Sequence, residues 1–198
     1  MITGDCNAVI DDVLRYVPTD GASFCFVDPP GLDVSWRTIK LLANHKPSDR
    51  RKVELFVLFA YDMNLVRYLV REGRPGDVWG PEVEDEIDRA MPDSHRWRLV
   101  YRDRNRELIG PPEARRRFAY LYWMGLKKLG YRYVVNPKLL KSPRGKPLYF
   151  LFFASDHDAG ERIMSHVLQK PRSFEQLSMP FLEDPWEFRE GESWYESA

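Results

Sequence analysis

The sequence predicts an α/β fold: a partial doubly wound sheet of about four main strands with flanking helices and an antiparallel last strand. Three observations predict it. Apolar runs at 22–27, 53–60 and 147–154 lack polar alternation, as expected of strands covered on both faces. The first two alternate with segments of helical apolar periodicity, the rhythm of a layered α/β sheet. The runs at 131–136 and 147–154 are joined by residues 137–146 alone, too few for a crossover helix, so this pair is antiparallel.

Each element follows from local signals. Met1 to Asn7 reads as the end of a strand running into a turn. A helix follows, with Val9, Ile10, Val13, Leu14 and Val17 on one face, capped by Asp5 or Asn7 and broken at Pro18–Gly21. The strand at 22–27 ends at Asp28-Pro29-Pro30-Gly31. Trp36 to Ala43 is a short helix with Ile39, Leu42 and Ala43 inward, followed by a polar loop at 45–52. The second buried strand covers 53–60, and helix resumes at 62–70. Residues 71–110 carry Gly73, Pro75, Gly76, Gly80, Pro81 and Pro92. They read as an insertion with one acidic helix at 82–90, packed down by Trp79, Trp97 and Tyr101. Pro111-Pro112 opens the strongest helix and Gly130 closes it, the usual proline-first, glycine-last asymmetry. Its Phe118, Leu121, Tyr122, Gly125 and Leu129 face the sheet. After the strand at 131–136 comes a basic loop with Lys138, Lys141, Arg144 and Lys146, then the strand at 147–154. The last helix starts at Ser155 or Asp156, with Ile163, Met164, Val167 and Leu168 on one side. Residues 1–170 thus form one α/β domain, with 71–110 inserted in it. Residues 171–198 form an acidic aromatic tail: from Ser173 on, seven carboxylates and Arg189 leave a net charge of −6. Its aromatic anchors, among them Phe174, Phe188 and Trp194, lay it partly on the body.

Composition narrows the function classes. Thirty basic and thirty acidic residues in 198 balance to zero, which excludes a polybasic nucleic-acid coat and an acidic disordered protein. Apolar runs fall short of the ~20 residues that span a bilayer, and no secretory segment opens the chain. Cys6 and Cys25 make no disulfide framework and read as reduced thiols of a cytoplasmic protein.

The chemistry-bearing candidates sit at strand ends. Asp28-Pro29-Pro30-Gly31 follows a parallel strand, where ligands of α/β sheets bind. Two prolines stiffen the turn and remove two N–H groups. Carbonyls and the Asp28 carboxylate are left to accept hydrogen bonds from an amino group. A plain strand-to-loop turn uses the same residues. Gly4-Asp5-Cys6-Asn7 offers acceptors for an adenine amine or a ribose hydroxyl, and equally a helix cap. Arg115, Arg116 and Arg117, with Lys138, Lys141, Arg144 and Lys146 and the rings of Tyr131, Tyr133 and Tyr149, suggest a phosphate-binding surface or simply a solvated helix and loop. His45, His95, His157 and His166 are scattered and the cysteines far apart, so no metal site is expected. Ser155-Asp156-His157-Asp158 reads as a helix cap, with His157 as a proton shuttle the sharper alternative.

GDCN, a helix, then FCFVDPPGLDVSW, and later PLYFLFFASDHDAGERIM, together resemble the three-Cys-motif partner protein (TcmP) family across residues 3–170. That resemblance implies a Rossmann-like fold of the class I S-adenosylmethionine (SAM)-dependent methyltransferases, and a transferase acting on an amino group, a nucleic-acid base included. It makes the strands at 22–27, 53–60, 131–136 and 147–154 the fourth to seventh, the last antiparallel. Asp5 and Asn7 become cofactor-binding residues near the adenine. Asp28, Pro29 and Pro30 become the catalytic Asp-Pro-Pro motif.

The sequence departs from the family at its start. Members open with a strand, a turn resembling Phe-Ala-Gly-Pro-Gly and a second strand ending in an acid for the ribose; this chain starts at the third strand's end, so its SAM pocket is expected to be incomplete. Two or three lost hydrogen bonds at ~1.5–3 kcal/mol each reduce affinity by ~10²–10⁵. The chain then reads as a truncated methyltransferase, a half that pairs with another chain, or a non-catalytic subunit that binds a cysteine-rich three-Cys-motif protein. The strand at 22–27 has an open edge in all three, a place for association.

Overall fold

The computed structural model describes residues 1–47, 51–60, 81–169 and 187–196. In chain order these form α1 (Cys6–Leu14), β1 (Phe24–Val27), α2 (Trp36–Ala43), β2 (Glu54–Phe59), α3 (Pro81–Ala90), α4 (Ser94–Asn105), α5 (Pro111–Lys128), β3 (Tyr133–Lys141), β4 (Pro147–Ser155), α6 (Asp158–Gln169) and α7 (Ser193–Glu196). The expected helix at 62–70 and Trp79 lie outside the described residues.

The four strands make one mixed sheet in the order β1-β2-β4-β3. β1 runs parallel to β2, and β4 runs antiparallel to both β2 and β3. The α/β class, the strand number and the reversed last strand therefore agree with expectation. The strand expected at the N-terminus is not formed: residues 1–4 have no ladder partner, and the first regular element is α1.

One face of the sheet carries the main core. Leu55, Val57 and Phe59 alternate inward from β2, joined by Val27, Phe150, Phe152 and Ala154, and pack against α1, α2 and α5. α5 is buried from Phe118 to Leu126, as a helix must be when it is covered on every side. Its Tyr122 ring lies 4.8 Å from both Phe59 and Phe152 on the sheet side. Its Tyr120 ring lies 5.4 Å from Phe188, Trp194 and Tyr195. The segment 187–196 thus covers α5 opposite the sheet, and Arg116 fixes it through a two-pronged pair with Glu192 at 2.7 and 2.5 Å.

Among the described residues the other face is covered only in part. α6 seats Leu168 and Met164 against Val135, Phe153 and Leu151 over β3 and β4. Phe24 and Phe26 on β1 remain 59% and 52% exposed, and Ile163 and Val167 of α6 are exposed too. The expectation that the strand at 22–27 is covered on both faces is thereby corrected: apolar composition reported its hydrophobicity, and α6 reaches only the far half of the sheet.

Two further corrections concern boundaries. Residues 137–146 are not a ten-residue loop. β3 continues to Lys141, so Lys138 and Lys141 are strand residues, and the turn spans 142–146. Pro137 sits where the register shifts between Val135 and Lys138, a bulge that tolerates a missing N–H. Within 81–110 there are two helices, not one. Asp93 accepts from the backbone N–H groups of His95 and Arg96 at 3.1 and 2.9 Å and starts α4. α4 buries Trp97, Val100 and Tyr101. Asp88 of α3 then accepts from the Trp97 indole at 2.7 Å and from both terminal nitrogens of Arg98. Those bonds, Arg98 first and Trp97 second, hold the Asp88 carboxyl below its ordinary value against the effect of burial.

Candidate functional site

The carboxyl end of β1 is built from two sequence motifs. Asp5 caps α1, its Oδ1 accepting from the Asn7 backbone N–H at 2.9 Å. Capping holds the Asn7 side chain over the loop that leaves β1. Asn7 Nδ2 donates to Asp5 Oδ1 at 3.1 Å and to the Asp33 carbonyl at 2.6 Å. Asn7 Oδ1 accepts from the Ser35 backbone N–H at 2.9 Å and from Thr38 Oγ1 at 2.7 Å. An amide side chain has two donors and two acceptor positions, and all four are used inside the protein. Ser35 in turn caps α2 by accepting from the Thr38 N–H. The N-termini of two helices and the loop between them are therefore one hydrogen-bonded unit.

Asp28, Pro29 and Pro30 open that loop. Asp28 and Pro30 are exposed, while Gly31 and Leu32 are buried and anchor the turn. Among the described residues the Asp28 carboxylate has no hydrogen-bond partner, and neither has Asp5 Oδ2. The structure so brings the Asp-Pro-Pro turn and the Asp5–Asn7 motif to one end of β1, joined through Asn7. It gives the three acceptor residues different standing: Asp28 and one oxygen of Asp5 face outward unpartnered, while Asn7 is saturated. Cys6 lies beside them with its thiol pushed up by burial and by the Asp5 charge, so it stays protonated and weakly nucleophilic at neutral pH.

Two arginines of the basic set are taken up within the protein. Arg116 is paired with Glu192, and Arg117 with Glu113 at 2.8 Å and Asp103 at 3.3 Å. Both lie under aromatic rings of the 187–196 segment, against Phe188 and Trp194. Tyr131 is buried, its hydroxyl donating to the Val53 carbonyl at 2.7 Å, and Tyr133 donates to Asp158 at 3.0 Å. His157 is the cap residue of α6: its Nδ1 accepts from the Ala159 N–H at 3.1 Å. Asp156, expected at the helix start, instead accepts from the backbone N–H groups of Lys52 and Arg132 and clips β2 and β3 together outside the helix.

Sequence reasoning missed a concave site at the opposite end of β1. A cavity of about 550 Å³ lies among Thr19–Phe24, Lys46, Arg51–Lys52, Glu54 and Asp156–His157. These residues come from four separate stretches that no linear pattern joins. Among the described residues no three His, Cys, Asp or Glu side chains gather as a metal site would need. No helix of the described residues is long and apolar enough to cross a membrane.

No family model, curated protein or solved structure matches this chain.

Proposed function

We propose that this chain supplies the acceptor-holding side of a SAM-dependent amino-group methyltransferase, similar to the three-Cys-motif partner proteins. The observation that carries the reading is the Asn7 tether, which joins the cofactor motif to the Asp-Pro-Pro loop 26 residues later. The strand order supports it, because the reversed β4 between β2 and β3 is compatible with the fourth-to-seventh strands of that fold.

The residues fit the two halves of such a site unequally. On the acceptor side, the unpartnered Asp28 carboxylate and the carbonyls of a two-proline turn accept the N–H groups of an incoming amine. Its lone pair then points away from the turn, toward a methyl donor. Catalysis of this kind is positioning and water exclusion, with no nucleophilic side chain. SAM, when bound, supplies the methyl group. On the cofactor side, Asp5 Oδ2 is a side-chain acceptor left for the adenosyl moiety, and Asn7 acts by holding the loop.

The test is amide NMR of the full chain titrated with S-adenosylhomocysteine. Shifts at Asp5–Ala8, Asp28 and Gly31, with an affinity of order millimolar, are expected from a site with part of its contacts. The absence of any shift there at 5–10 mM, roughly the top of the range a partial site allows, refutes the proposal. A second reading, a non-catalytic pairing subunit for a cysteine-rich protein, is favoured by one observation: β1 is an edge strand among the described residues, with Phe24 and Phe26 exposed beside it. It predicts no response to the nucleoside.

A further inference from the structure

We propose that the cavity at the amino ends of β1 and β2 binds a phosphate-bearing small molecule with a planar ring, of the nucleoside monophosphate class. It lies at the other end of β1 from Asp28 and is independent of the methyltransferase reading.

The argument begins with Lys46. It is only 7% exposed, yet its ammonium has one protein partner among the described residues, the Gly21 carbonyl at 2.5 Å. An ammonium has three N–H donors, and burying one without a counter-charge is costly. Among the described residues no carboxylate oxygen pairs with that ammonium. Asp156 is occupied by the backbone N–H groups of Lys52 and Arg132 at 3.0 and 2.8 Å. Glu54 accepts from the Ser155 hydroxyl at 2.5 Å. Gly160 packs on that pair so closely that an added Cβ would lie 2.8 Å from Glu54 Oε1. Asp20 is exposed and forms no ion pair among the described residues.

Other donors gather at the same place. Ser23 Oγ is buried with no hydrogen-bond partner; its residue carries the backbone, not the side chain, into the ladder, through the Ser23 carbonyl and the Glu54 N–H. Buried orphan hydroxyls are rare and ask for a ligand or a water. Arg51 lines the cavity and is exposed, with no ion pair among the described residues. His157 accepts at Nδ1 from Ala159, so a neutral ring carries its proton on Nε2 and adds another donor to the lining. An anion with several oxygens satisfies ammonium, guanidinium and hydroxyl together. The exposed Phe24 ring forms one wall and offers a face for a flat ring to stack on. The volume lies within the ~300–1,000 Å³ typical of small-molecule sites.

The test titrates adenosine 5′-monophosphate, inorganic phosphate and adenosine into the intact chain by calorimetry and amide NMR. The monophosphate is expected to bind below about 1 mM, with shifts at 19–24, 46 and 51–54, and at least fivefold more tightly than phosphate or adenosine. Lys46→Met is expected to weaken it at least tenfold. Should that variant unfold, Ser23→Ala and Arg51→Gln, each expected to cost three- to tenfold, keep the proposal open to refutation. No binding at 5 mM, unchanged affinity in the variants, equal affinity for inorganic phosphate, or shifts confined to 5–8 and 28–31 would each overturn it.

Discussion

Replacing Asn7 by alanine tests whether this side chain clamps the loop or merely waits for a ligand. Four side-chain hydrogen bonds vanish, to Asp5, Asp33, Ser35 and Thr38. The first two partners are exposed, so water replaces Asn7 there at little cost. The Ser35 N–H and the Thr38 hydroxyl are part-buried, and Thr38 is 3% exposed. Stranding each costs about 1–2 kcal/mol, giving a loss of about 2–4 kcal/mol. For a chain of this size that lowers Tm by roughly 5–15 °C. The assay is urea denaturation followed by circular dichroism, with thermal melts beside it. Asp5→Ala is the control: it removes one cap and loses about 1 kcal/mol. A loss below about 0.5 kcal/mol for Asn7→Ala, within the range of ordinary surface substitutions, refutes the clamp and returns Asn7 to the pool of free cofactor ligands.

Two other outcomes are expected. Gly125→Ala places a Cβ 2.5 Å from Pro92 Cβ and 2.9 Å from Trp36 Cη2; despite the better helix propensity of alanine, it destabilises by about 1–3 kcal/mol in a chemical-denaturation series. Asp88, whose folded value is lowered from 3.8 chiefly by Arg98, stabilises the protein above that pH and loses its contribution as pH falls through the depressed value. The Tm gap between the wild type and Asp88→Asn is therefore present at pH 6 and shrinks toward pH 2.5; a gap that stays constant over that range contradicts the pairing.

The sheet was legible where composition and periodicity agree. The runs at 22–27, 53–60 and 147–154 are strands because β-branched and aromatic residues dominate them, and Pro111 with Gly130 bracketed α5 to within two residues. Tertiary effects hid the rest. α4 was invisible because arginines alternate through it, although Trp97, Val100 and Tyr101 hold the i, i+3, i+4 spacing and Asp93 is an ordinary cap. The extension of β3 past Pro137 depends on β4 lying beside it, since a bulge makes sense only with a partner strand. At the candidate site, Asp28 was readable from its turn and Asp5 from its capping chemistry. The saturation of Asn7 was not, because three of its partners, Asp33, Ser35 and Thr38, come from a loop and helix some 30 residues on. The Lys46 cavity left no linear trace for the same reason: chain segments that meet there are separated by more than 100 residues.

The aromatic cover of α5 bears on how the chain matures. Tyr120 leaves the ribosome well before Arg189, whose carbonyl its hydroxyl reaches 69 residues downstream. Until residues 187–196 are made, the outer flank of α5 stays bare, with Tyr120 and Trp123 open to stray contacts. Closing such a distant pairing is slow, and a fusion or truncation that delays it prolongs a sticky nascent state.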